Sequence, residues 1–129
     1  MKTELVMLAW SAALCVVLAV PYTLGFIGQL GLPTVAGNRE NFPSGTGWIG
    51  RARRAHANMV ENLVPFAALV LAVVVAGKTS GMTALAAEIF LVARLVHAVV
   101  YIAGIAWART AAFAVNVVAI VMLLTALLA

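Results

Sequence analysis

Four long apolar runs leave this chain almost no choice of environment. They cover about Leu5 to Ile27, Asn58 to Ala76, Met82 to Ile105 and Thr110 to Leu128. Each supplies the roughly 20 residues that a helix needs to cross a hydrocarbon core about 30 Å thick. Only 9% of the 129 residues are charged, and mean hydropathy is +1.12. That balance excludes an ordinary soluble domain. Tight spacing between the second, third and fourth runs leaves no room for a separate soluble module. The expected fold is all-α, an integral membrane four-helix bundle forming a single domain over residues 1–129.

Lys2 ahead of an apolar run resembles the start of a secretion signal. The run continues past Val20 and no Ala-x-Ala site follows it, so it is expected to stay in place as the first span. Cys15 is the only cysteine and cannot form an intrachain disulfide; a lone cysteine in a span is usually a small packing residue. A net charge of +4 would suit nucleic acid if the charges shared one soluble surface. They do not. Arg39, Arg51, Arg53 and Arg54 surround the first loop and Arg109 lies in the third, whereas Lys2 and Lys78 mark the opposite side. The positive-inside rule then puts loops one and three in the cytoplasm and both termini outside, with no nucleic-acid partner.

Pro21 is expected to break the first span, and Gly25, Gly28 and Gly31 follow with the small-residue spacing that permits close helix approach. Residues 31 to 50 form the longest loop, rich in Gly, Pro and Asn, and Trp48 is expected at the membrane interface. Strong polar groups then run straight into an apolar helix. At about 100° per residue, Arg51, Arg54, Asn58, Glu61, Asn62 and Pro65 fall on one stripe. A charged stripe in lipid is expensive and persists only against other helices, a cavity or a polar ligand. Arg54, Asn58 and Glu61, at i, i+4 and i+7, offer a guanidinium fork, an amide and a carboxylate. That set suits a zwitterionic, peptide-like ligand. The alternative is that Arg54 and Glu61 pair with other helices and lock the bundle.

The third span places Arg94, His97 and Tyr101 within about 60° of each other, which suggests a polar cavity. Glu88 lies about 120° away from Arg94, nearer the outer end. His56 and His97 lack partners at ligand spacing, so no metal is expected. The fourth span opens with Arg109-Thr110, and Asn116 shares the Arg109 face. Arginine at a helix start is unfavourable toward the helix dipole. It has an ordinary topological explanation, and a functional one: a guanidinium beside a helix N-terminus lowers a thiol's pKa from about 8.5.

With these residues in place the chain resembles the MAPEG family, the membrane-associated proteins in eicosanoid and glutathione metabolism. The resemblance rests on Arg51-x-x-Arg54-Ala-His56-x-Asn58-x-x-Glu61-Asn62-x-x-Pro65-Phe66, on Arg94-x-x-His97-x-x-x-Tyr101 and on Arg109-Thr110. It implies a left-handed bundle assembled as a homotrimer, with glutathione as co-substrate between neighbouring subunits near the cytoplasmic face. By position, Arg54, Asn58 and Glu61 would hold the polar ends of glutathione, and Arg94, His97 and Tyr101 would line the same site. Arg109 would stabilise the thiolate, and Thr110 stands where the prostaglandin-synthesising member has a serine. The chain departs from that member at Ala57, in place of a ligand-contacting arginine, at Phe113, near a tyrosine, and at Ala98, in place of a threonine. Residues 28 to 33 lack the basic residue of mammalian members, for which Arg39 is the alternative. The pattern looks more like the bacterial branch, and hence like a protein of the bacterial inner membrane.

The expected function is a glutathione-dependent transferase or peroxidase acting on lipophilic electrophiles delivered by the bilayer. A non-catalytic binding or scaffold protein on the same fold is the main alternative. A small cation exporter is disfavoured because such transporters need a carboxylate near the middle of the first span, and Glu4 lies at its edge.

Overall fold

A computed structural model describes all residues from Met1 to Ala129. Its helices are α1 (Thr3–Leu30), α2 (Leu32–Ala36), α3 (Gly47–Val75), α4 (Gly81–Ala103) and α5 (Ala106–Leu128), with no strand. All but α2 are long and apolar enough to cross a membrane. They alternate in direction as a four-helix bundle: α1 packs on α3 and α4, and α5 packs on α4 and α3. The charge asymmetry of the sequence becomes two chemically distinct ends. At the arginine end, Arg51 Nε donates to the Ile102 carbonyl at 2.9 Å. At the lysine end, Lys2 Nζ donates to Thr79 Oγ1 at 2.9 Å and Lys78 Nζ to the Leu127 carbonyl at 2.8 Å.

The core forms where aromatic rings and alanines face one another. Phe66 of α3 and Phe90 of α4 stack with centroids 3.7 Å apart, among Met59, Val70, Ala86, Ala87, Ala119 and Leu123. Lipid tails are as apolar as leucine, so close packing of this kind, rather than escape from water, holds such a bundle. Only 25 of 129 residues are buried, while Trp10, Val16, Val64, Val99 and Trp107 point outward. That apolar coat is matched to hydrocarbon and not to water. At the start of α4, Ser80 and Thr83 form a capping box. The Thr83 hydroxyl also donates to the buried Glu4 carboxylate, which sits where the helix dipole favours negative charge. Glu4 therefore serves the junction of α1 and α4.

Three expectations about the first half of the chain are corrected. First, α1 does not break at Pro21 but runs through it to Leu30. Proline removes one donor and leaves the Val17 carbonyl without its helical partner, a single loss that a transmembrane helix tolerates without breaking. Second, residues 31 to 50 are not all loop, since α2 lies within them and α3 begins at Gly47. Hydropathy marks the stretch that lipid can solvate; the Arg- and Ala-rich segment before it is an equally good helix former. Third, the glycine stripe reduces to Gly25. A Cβ there would lie 2.8 Å from Ile49 Cγ1 of α3, whereas one at Gly28 would meet nothing and Gly31 ends the helix. Gly25→Leu should therefore wedge α1 from α3 and lower the thermal midpoint in detergent, by about 1–3 kcal/mol of stability. Gly28→Leu should leave the midpoint where it is. Equal midpoints for the two variants would refute the close approach.

Candidate functional site

The polar stripe of α3 faces a cavity of about 380 Å³ at the arginine end. Arg54, Ala57, Asn58 and Glu61 of α3 form one wall, His97 and Tyr101 of α4 the back, and Arg109, Thr110 and Phe113 of α5 the other wall. A second cavity of about 210 Å³ adjoins it through shared Arg54, Tyr101 and Arg109, and adds Arg51, Gly104, Ile105 and Ala106. Seven of the eight candidate site residues thus meet in one place, along with Ala57 and Phe113.

Each wall is positioned by local chemistry. On α3, the i, i+4, i+7 spacing stacks Arg54, Asn58 and Glu61 along the helix. Asn116 Nδ2 donates to Asn62 Oδ1 at 2.8 Å, and Asn62 Nδ2 donates to the Asn58 carbonyl at 2.8 Å and to Asn58 Oδ1 at 3.3 Å. This relay ties α5 to α3 and leaves the Asn58 amide N–H groups for the cavity. Pro65 has no N–H, so the Glu61 carbonyl lacks the helical donor it would otherwise have. A carboxylate and a carbonyl oxygen without its i+4 donor therefore belong to one residue of the wall.

On α5, Ile105 is the N-cap and no side chain caps the helix. The Arg109 N–H bonds the Ile105 carbonyl at 3.1 Å, so the N–H groups ahead of it have no partner within the helix. The Arg109 guanidinium lies over the Tyr101 ring, 4.8 Å from its centroid. An arginine and a helix N-terminus repel each other, but both attract an anion. Along α3, Glu61 lies about 10 Å from Arg54. The cleft is consequently dipolar, with Arg51, Arg54 and Arg109 at one end and Glu61 at the other.

Arg94 is the exception. Expected in the lining, it is 1% exposed and lies behind it. Its Nε donates to Met59 Sδ and its Nη2 to His97 Nδ1, both at 3.3 Å, and its Nη1 has no partner. The i, i+3 spacing that puts Arg94 and His97 on one stripe does not make them neighbours of the same ligand, because Arg94 points inward. Arginine only donates, so His97 Nδ1 must accept. The ring is then neutral with its proton on Nε2, and that N–H is the donor it has left for the cavity.

Arg39 is also absent from the cavity in the single chain. Its Nε donates to the Val35 carbonyl at 2.7 Å, and its guanidinium stacks 5.3 Å from the Phe42 centroid. It lines a smaller, separate cavity beside Tyr22 and Phe26. Tyr22 hydroxyl and His56 Nδ1 are 2.9 Å apart across α1 and α3. Nothing in the sequence announces that pair, which is separated by 34 positions.

Fold and site together define an integral membrane protein, a four-helix bundle with a charged cleft built into one end. The MAPEG family model matches residues 5–129, and the chain belongs to that family. No curated protein and no solved structure matches the chain.

Proposed function

We propose that this protein is a membrane-embedded, glutathione-dependent transferase or peroxidase acting on lipophilic electrophiles. The observation that carries the reading is the order of charge across the cleft. Glutathione has one ammonium, two carboxylates and a thiol between them. Glu61 suits the ammonium at one end of the tripeptide, and Arg51 and Arg54 suit the glycine carboxylate at the other, which guanidinium forks bind bidentately. The thiol then falls toward Arg109 and the open start of α5, where a thiolate is favoured. Asn58, His97 Nε2–H and the Tyr101 hydroxyl supply donors along the way. The Thr110 hydroxyl now donates to the Ala106 carbonyl at 3.2 Å; turned outward, it gives the sulfur a second donor.

In transfer, the thiolate sulfur forms a bond to an electrophilic carbon as the leaving group departs with its electron pair. With a hydroperoxide, the sulfur takes the terminal oxygen, the O–O bond breaks and an alcohol leaves. A second glutathione then reduces the sulfenic acid, giving water and the disulfide. The bilayer concentrates the acceptor. Arg54, Glu61 and Thr110 are exposed in the single chain, and charges in spans seldom face lipid. Closure of the cleft by neighbouring copies, as a homotrimer with its arginine end in the cytoplasm, accounts for them.

Calorimetry on detergent-purified protein tests the reading. Glutathione should bind saturably, and Glu61→Gln should weaken it by about tenfold or more, the scale of a charge-assisted hydrogen bond. No binding at millimolar glutathione would sink the proposal.

A further inference from the structure

Independently of that reading, one carboxylate of the bundle borders a groove whose wall is otherwise apolar. Glu88 is exposed on α4, about 10 Å along the helix from Gly81. It borders a groove of about 380 Å³ between α4 and α5. The rest of the wall is Ile89, Val92, Ala93, Val96, Ala112 and Val115, so Glu88 is its only polar residue. A carboxylate at hydrocarbon depth is costly unless a partner faces it.

The chain does not supply that partner. Its side-chain cations are six arginines and two lysines. Arg51, Arg54 and Arg109 line the site at the far end, Arg39 and Arg53 bond to carbonyls of the same end, and Arg94 is buried within the bundle. Lys2 and Lys78 bond to Thr79 and to the Leu127 carbonyl at the lysine end. A second copy therefore offers no free cation at the depth of Glu88.

We propose that this groove binds a single-chain lipophilic amine. The ammonium sits on the Glu88 carboxylate, and the tail lies along Val92 and Val96 toward the middle of the span. Glu88 to Val96 spans about 12 Å of helix, enough for a medium alkyl chain. A phospholipid ethanolamine does not meet this geometry, because its amine lies in the headgroup layer above the hydrocarbon. An uncharged lipid would leave the carboxylate unpaired.

Dodecylamine and dodecanol, added to protein in phosphatidylcholine nanodiscs, separate the possibilities. Native mass spectrometry and thermal unfolding should show dodecylamine bound and the midpoint raised in wild type. Glu88→Gln should weaken binding by about tenfold or more, as loss of a charge-assisted hydrogen bond does. Glu88 is exposed, so Glu88→Gln should fold as wild type does, and dodecanol should act equally on both. Equal dodecylamine binding by the two proteins would overturn the proposal. So would a change in oligomer mass in Glu88→Gln, which would mean that a second copy covers the groove. Stabilisation by phosphatidylethanolamine nanodiscs that is lost in Glu88→Gln would overturn it in favour of a headgroup.

Discussion

Arg109→Leu is expected to lower glutathione-dependent turnover by about 10²-fold or more, the usual loss when one preorganised donor to a developing or resident anion is removed. Glutathione affinity should change far less, because in the proposed site Arg51, Arg54 and Glu61 would still hold the ends of the tripeptide. The pH profile distinguishes this role from a merely structural one. On the proposed reading Arg109 and the start of α5 hold the thiol ionised at neutral pH in the wild-type cleft, so the rate should already be level there. Without Arg109 the thiol returns toward its free value of about 8.5, and the residual rate should keep rising through the alkaline range. Arg109 stacks on Tyr101 and bonds no other helix through its side chain, so oligomer mass should be unchanged. Unchanged turnover, or a parallel loss of assembly, would remove Arg109 from the chemistry.

Much of this architecture was legible because lipid imposes a simple grammar. Four apolar runs of span length admit little besides a helical bundle, and the spacing of Arg54, Asn58 and Glu61 put them on one face without any tertiary information. Three things were hidden. Hydropathy stops where lipid solvation stops, so it missed the start of α3 before Asn58. Proline marks a missing donor but not whether the helix ends there, and α1 runs through Pro21 to Leu30. A helical stripe is also wide enough to hold two layers. Arg94 and His97 share one, yet only His97 reaches the cavity, because depth within a bundle depends on how neighbouring helices approach.

That second layer yields the other large effect. The Arg94 guanidinium is buried with a thioether and an imidazole for company and one nitrogen unpartnered. A buried charge without a carboxylate is a poor contributor to stability, and replacing such groups with apolar side chains of similar volume often stabilises by about 1–4 kcal/mol. Arg94→Met is therefore expected to raise the thermal midpoint of the detergent-purified protein. The same change frees His97 Nδ1, so the ring can take either tautomer or gain a second proton, and the N–H offered to the cleft is no longer guaranteed. Turnover should fall several-fold while the midpoint rises. Arg94→Lys, which restores a donor but not the planar fork, should recover less activity than its charge alone implies. A variant that is both less stable and less active would mean that Arg94 holds the bundle together. One that is more stable and fully active would mean that the tautomer of His97 does not matter. The expected split places Arg94 where sequence spacing alone could not, as a residue that orders the site from behind at the expense of the fold.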